Sequence, residues 1–253
     1  MAPLDRLTIR IREKRFPSVG DSPARLVLKD VEFSAAAGEF VAVTGPSGCG
    51  KTTLLNIVAG LDNEYAGEIG LPIHSGETRP TVGYVFQNPR LLPWRTVLEN
   101  ILLVLPEGAE AWDRARELLQ NVGLWESRDA YPERLSVGMS RRVALARGFA
   151  INPDILLMDE PYVSLDPQMA QRLRVLLLDI WSGRPTTVLF VTHDLREAIM
   201  LADRILVLPR EAGPVAAEVP VPIPRDRRRD EVPVEAFRRA LLDDPANGLD
   251  EVT

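Results

Sequence analysis

No stretch of this chain restricts its fold as much as Gly45-Pro46-Ser47-Gly48-Cys49-Gly50-Lys51-Thr52-Thr53. Before it runs Phe40-Val41-Ala42-Val43, a continuous apolar segment that suits a strand buried on both faces. After it, residues 52–59 place Leu54, Leu55, Ile57 and Val58 at helical spacing, and Gly60 follows as a stop. A buried strand, a glycine-rich turn and a helix in that order make a phosphate-binding loop. The glycines let backbone N–H groups wrap a β-phosphate, and the helix N-terminus adds a favourable field. Lys51 can reach the β- and γ-oxygens, and Thr52 can offer its hydroxyl to Mg²⁺.

The rest of the 253 residues reads as alternating strands and helices. Residues 4–43 alternate apolar and polar positions in short runs, as half-solvated antiparallel strands do. Strand character returns at residues 81–86, 155–158, 187–191 and 204–208, with helices expected over residues 167–181 and 195–202. This alternation predicts a mostly parallel sheet flanked by helices. Between lies a helical insert, residues 98–150, with helices at 111–122 and 140–150. The tail from Pro209 is rich in proline and arginine and ends in a helical pattern at residues 234–242.

Composition excludes several classes. A formal charge of −6 argues against a general electrostatic grip on nucleic acid or anionic lipid. The lone cysteine, Cys49, rules out a disulfide framework and fits a reducing compartment. No apolar run approaches the roughly 20 residues needed to span a bilayer, and the first residues lack the apolar core of a secretory signal. Any membrane role is therefore expected to run through a partner.

Further chemistry gathers at strand ends. Ile155-Leu156-Leu157-Met158 runs into Asp159 and Glu160. There one acid can hold Mg²⁺ and the second can take a proton from an attacking water. His193 follows the strand Val188-Leu189-Phe190-Val191-Thr192, a position that suits either a γ-phosphate contact or a structural histidine. Gln87 follows Tyr84-Val85-Phe86, where a glutamine commonly serves only as a polar cap. Leu135-Ser136-Val137-Gly138-Met139 precedes the basic run Ser140-Arg141-Arg142-Val143-Ala144-Leu145-Ala146-Arg147.

In this order the pieces resemble the nucleotide-binding subunit of an ABC transporter, over residues 16–208. The resemblance implies an α/β fold: a RecA-like P-loop ATPase core with an antiparallel β subdomain and an inserted helical subdomain. The ATPase domain would span residues 1–208, with core and β subdomain at 1–87 and 151–208, helical subdomain at 88–150 and an extension at 209–253. It further implies ATP and Mg²⁺ as ligands, with Walker A at residues 45–53 and a Q-loop at Gln87. Walker B would be residues 155–159, Glu160 the catalytic base, Ser164-Leu165-Asp166 a D-loop and His193 the switch histidine. Mg²⁺ would fall to Thr52, Gln87 and Asp159. Phe16 stands where the family places an aromatic that stacks on adenine, although a strand-end phenylalanine is as often core.

Two such subunits dimerise head to tail in the family, each capping the other's ATP with the signature segment. Ser136 and the Gly138 N–H, at the start of a helix, would form the anion site for the γ-phosphate. Val137 departs from the family's glycine at the third signature position. Valine is β-branched and tolerates positive φ badly. A left-handed backbone there would be strained, whereas an extended or helical one would accept valine.

Gln87-Asn88-Pro89-Arg90-Leu91-Leu92-Pro93-Trp94-Arg95-Thr96-Val97-Leu98-Glu99-Asn100 resembles importer subunits of the nitrate, sulfonate and taurine group. Trp94 is then either an exposed anchor for a membrane-subunit helix or a packed core residue. Ile223-Pro224-Arg225-Asp226-Arg227-Arg228-Arg229-Asp230 is also similar to that group, though on charge alone such a tail is a solvated one. The resemblance implies an importer ATPase for a small anionic or organic solute. Its partners would be a second copy, a membrane permease and a periplasmic or surface solute-binding protein, with no nucleic acid. Its place would be the cytoplasmic face of the inner membrane. An exporter subunit, or a soluble ABC ATPase without a transport role, is the alternative.

Overall fold

The computed structural model describes residues 6–18, 20, 23–72, 80–184, 186–244, 247 and 249. In chain order the strands are β1 (Arg6–Phe16), β2 (Arg25–Ala36), β3 (Phe40–Thr44), β4 (Ala66–Gly70), β5 (Val82–Val85), β6 (Ile155–Asp159), β7 (Thr187–Val191), β8 (Arg204–Val207) and β9 (Ala217–Pro220). The helices are α1 (Lys51–Val58), α2 (Val97–Leu102), α3 (Ala109–Asn121), α4 (Val137–Ala150), α5 (Pro167–Gly183), α6 (Leu195–Leu201) and α7 (Glu231–Asp243). The chain forms two compact units. One uses residues up to Pro80 and from Thr187 onward; the other is Thr81–Thr186.

In the first unit, β1 pairs antiparallel with β2 on one side and β4 on the other. Leu7, Ile9 and Ile11 point inward from β1 with the period of two that its sequence carries. The register then slips, so that Lys14 rather than Glu13 is the next buried residue. A bulge of this kind re-aims the side chains beyond it, which carries Phe16 to the exposed end of the strand.

The same unit holds β7, β3, β8 and β9 side by side, the first three parallel and β9 antiparallel at the edge. Every residue of β3 and β7 is buried, as their unbroken apolar runs require. Helix α1 lies against β7, α6 covers β3 and β8, and α7 packs on α6. Arg204 on β8 ties this sheet to the antiparallel one. It donates to Glu39 at 2.6 Å, to Glu218 at 2.8 Å and to the Ser34 carbonyl.

In the second unit, β5 and the wholly buried β6 pair in parallel, and α2, α3 and α4 pack together. The chain's polar punctuation sets the helix starts. Thr96 and Glu99 form a reciprocal capping box on α2, Ser136 caps α4, and Asp166 with Pro167 opens α5. Helix α4 therefore starts at Val137, three residues before the basic run that sequence periodicity marked. The short α2, which periodicity did not single out, owes its start to that capping box.

Candidate functional site

The first unit carries the phosphate loop. Gly45 has φ 149° and Gly50 φ 106°, a backbone region that favours glycine. Space is also short: a Cβ at Gly45 would lie 2.5 Å from the Leu208 carbonyl oxygen, and one at Gly50 2.7 Å from Leu28 Cδ2. Pro46 and Cys49 are buried, while Ser47, Gly48 and Thr52 face solvent and Thr53 is half-buried. Lys51, buried at the start of α1, donates from Nζ to the Gly45 and Pro46 carbonyls at 2.7 and 2.9 Å. The ammonium thus stands within the turn, where it holds the loop's shape and adds positive charge to the helix N-terminus. Burial pushes the Cys49 thiol up by more than the neighbouring Lys51 charge draws it down, so it stays a protonated, poor nucleophile.

Two more expected site residues lie in this unit. Phe16 ends β1 with 43% of its surface exposed, which is not a core position. The Lys14 ammonium sits 4.6 Å from its ring centroid, a cation–π contact that steadies the ring. His193 is exposed between β7 and α6, and the residues either side of it are fixed. Thr192 Oγ1 donates to Glu197 Oε2 at 2.6 Å and accepts from Asp194 N at 3.0 Å, while Asp194 caps α6.

The second unit contains Gln87, Ser136, Gly138, Asp159, Glu160 and the Ser164–Asp166 turn, of which Gln87 and Ser164 line one cleft. Asp159 closes β6 with 4% of its surface exposed. Burial, and then the Asp159 carboxylate, push the Tyr84 phenol up, which marks the tyrosine as a neutral neighbour of that acid. Glu160 follows at φ 43° and Ser164 at φ 62°, so a tight turn with two left-handed non-glycine residues leaves the strand. Such backbone costs on the order of 1–3 kcal/mol per residue and is typical of functional sites.

Ser136 is the N-cap of α4, its oxygen accepting from Met139 N at 3.2 Å. A hydroxyl that accepts in this way can still donate its own hydrogen. Gly138 lies in the first turn, where backbone N–H groups have no partner within the helix. Val137 is the first helical residue, is 60% exposed and is not among the residues with positive φ. The valine is therefore unstrained, as a helical backbone allows.

Sequence reasoning missed the side chains that brace this unit. Arg141, 7% exposed, donates to the Gln87 carbonyl and, at 3.2 Å, to the Val163 carbonyl. One guanidinium thereby joins the segment after β5 to the turn after Glu160. A cleft of about 560 Å³ opens there, lined by Gln87, Leu135, Val137, Ser140, Arg141 and Ser164 among others. Fully buried Asn100 accepts from Leu92 N at 2.8 Å and donates to the Leu92, Arg95 and Thr96 carbonyls. Arg147 holds the Pro89 and Arg90 carbonyls at 2.8 and 3.0 Å. On this frame Trp94 stands 67% exposed, so it is not a core tryptophan. An internal polar residue such as Asn100 has a sequence signal only in its type, and none in its partners.

Among the described residues no cluster of three or more His, Cys, Asp or Glu could hold a metal unaided. The hydroxyl of Thr52, the amide oxygen of Gln87 and the carboxylate of Asp159 are hard oxygen donors. They suit Mg²⁺, which takes one or two protein ligands and completes its shell with water and substrate phosphates. No helix among the described residues is long and apolar enough to cross a membrane.

A P-loop nucleotide-binding α/β protein is what this fold and these residues define. The ABC transporter family model matches residues 28–163. The chain belongs to that family. It is 40% identical over 239 residues to the aliphatic sulfonates import ATP-binding protein SsuB of Bacillus subtilis, covering 93% of this chain and 92% of that one. The SsuB 2 protein of Burkholderia lata is 42% identical over 239 residues, covering 94% and 85%. Among solved structures, the ATP-binding cassette MJ0796, a dimer in a post-hydrolysis state bound to ADP and Pi, superposes with a TM-score of 0.72. It is 32% identical and covers 85% of this chain and 98% of that one. The fold is thus the mixed α/β architecture of an ABC nucleotide-binding domain, as the motifs led one to expect.

Proposed function

We propose that this chain is the ATP-hydrolysing subunit of an importer for an aliphatic sulfonate or a similar small anion. The observation that carries the solute class is identity of about 40% over nearly the whole length to proteins named for aliphatic sulfonate import. The unit would work as a homodimer on the cytoplasmic face of the membrane, docked on a separate permease that is supplied by a solute-binding protein. The exposed Trp94, with Leu92 and Pro93, suits the grip on a permease helix. The division into an ATPase domain at 1–208, with a helical subdomain at 88–150, and an extension at 209–253 belongs to this reading.

In it, Phe16 stacks on the adenine, and the loop from Gly45 to Thr53 with Lys51 holds the phosphates. Thr52, Gln87 and Asp159 hold Mg²⁺, which when bound neutralises charge on the phosphate oxygens. Glu160 takes the proton from the attacking water and His193 contacts the γ-phosphate. Ser136 and the Gly138 N–H of one copy cap the nucleotide of the other. A positioned base of this kind contributes about 10²–10⁴ in rate.

Glu160→Gln keeps the shape and removes the base. ATP should bind as in the parent, hydrolysis should be lost and an ATP-bound dimer should accumulate on gel filtration. Hydrolysis at the parent rate would refute the assignment of Glu160. For the solute, the reconstituted transporter should hydrolyse ATP faster when its binding protein is loaded with an alkanesulfonate. A response to other solutes but not to sulfonates would sink that class.

A further inference from the structure

The proline-arginine segment after β9 is not the solvated tail that its charge suggests. Pro224 opens a tight 3-10 turn, Arg225–Arg227, that leaves Arg227 and Arg229 exposed and turns Arg225 and Arg228 toward the protein. Arg228 is only 5% exposed. Its guanidinium donates to the Ile223 carbonyl at 2.7 Å, the Ala202 carbonyl at 2.6 Å and the Val221 carbonyl at 3.4 Å. Arg225 donates to the Leu201 carbonyl at 3.2 Å and to both oxygens of Asp203 at 2.6 and 2.7 Å.

Leu201 and Ala202 are the last residue and the C-cap of α6. Their carbonyls have no partner within the helix, and the negative end of its dipole lies there, so two guanidiniums satisfy both needs. Helix α6 has seven residues, too few to persist without tertiary support. Its other end begins two residues after His193, where Thr192 Oγ1 donates to Glu197 and accepts from Asp194 N, and Asp194 caps the helix. Along its side, Arg196 donates to Glu235 of α7 at 2.8 Å. Asp203 also accepts from Phe40 N at 3.0 Å, so the brace reaches the strand that leads into the phosphate loop.

We propose that Arg225 and Arg228 are positioning residues for His193, holding α6 from its far end so that the histidine keeps a fixed place. The C-terminal segment is then a working part of the ATPase. The inference rests on the reading that His193 acts in hydrolysis.

The test compares steady-state ATPase and ATP binding in the full chain for Arg228→Gln, Arg228→Lys, Arg225→Gln, Arg227→Gln and His193→Ala. Displacing a reacting group by an ångström costs up to about a hundredfold, so Arg228→Gln should lower kcat by about ten- to a hundredfold. Its ATP dissociation constant should stay within about twofold, as befits an effect on turnover rather than binding. Arg228→Lys should recover part of the rate, and exposed Arg227→Gln should match the parent. Adding Arg228→Gln to His193→Ala should cause no further loss, whereas a general structural defect would add to it. If Arg228→Gln does not fold, half-buried Arg225→Gln carries the same comparison. Parent-level kcat in a folded Arg225→Gln or Arg228→Gln, with His193→Ala inactive, overturns the positioning role alone. Parent-level kcat in His193→Ala overturns the reading of His193 and the proposal with it.

Discussion

Gly138 and Met169 meet so closely that a Cβ on the glycine would fall 2.6 Å from the methionine Sδ and 3.1 Å from its Cγ. The first turns of α4 and α5 abut at this point. Gly138 is helical and is not among the glycines with positive φ, so the reason for glycine here is room rather than backbone freedom.

Gly138→Ala sets a gain of about 1 kcal/mol in helix propensity against overlap with the far end of Met169, a flexible side chain that can swing aside. The variant should therefore unfold in urea within about 1 kcal/mol of the parent. A loss above about 2 kcal/mol that Met169→Ala restores would show that Met169 is locked against the glycine.

Val137 gives a second prediction at the same helix start. It is exposed at the first position of α4 and unstrained, so Val137→Gly costs at most about 1 kcal/mol in helix propensity. Turnover should stay within about twofold of the parent, because neither backbone nor packing changes. A rise of tenfold or more would show that the valine obstructs the cap on the nucleotide.

Near α7 the prediction concerns pH. Glu235 accepts from Arg196, Arg238 and Arg239. These guanidiniums, Arg238 foremost, hold its carboxyl down at about 2. A carboxyl that is more acidic folded than unfolded stabilises fully above its unfolded value, near 4.3, and loses that contribution as pH falls toward 2. Glu235→Gln should be less stable than the parent at pH 7, by an amount that salt reduces. The gap between their urea midpoints should close between about pH 4.5 and 2. A gap that persists unchanged across that range would remove the ion pairs as its cause.

What could be read in advance follows from how local each signal is. The phosphate loop, the buried strands and the Asp159-Glu160 strand end depend on neighbours in sequence, and β3, α1 and β6 stand where those runs indicate. The start of α4 was misjudged because periodicity in the basic run outweighed the Ser136 cap four residues before it. Arg141, Asn100, Arg225 and Arg228 were illegible as structural residues. The arginines work through carbonyls distant in sequence, Gln87 for Arg141, Leu201 for Arg225 and Ala202 for Arg228, while Asn100 binds the turn just before it, between Leu92 and Thr96. Nothing in residue type distinguishes a buried arginine from the solvated Arg227 and Arg229 beside it.

Lys14 is the same kind of residue and gives the sharpest stability test. The register slip in β1 turns it inward until 1% of its side chain is exposed. Its ammonium donates to Asp62 at 2.7 Å and to the Glu64 carbonyl at 2.9 Å, beside the ring of Phe16. Asp62→Ala leaves a buried cation without its counter-charge, which should cost about 3–5 kcal/mol. Lys14→Met combined with Asp62→Leu removes both charges while keeping apolar volume, and most of the loss should return. Phe16 would still lose the cation beside its ring, so the double variant should bind ATP more weakly than the parent even when it is equally stable. Urea unfolding and ATP titration of the three proteins decide it. A loss below about 1 kcal/mol for Asp62→Ala would place the pair among the weak surface bridges instead.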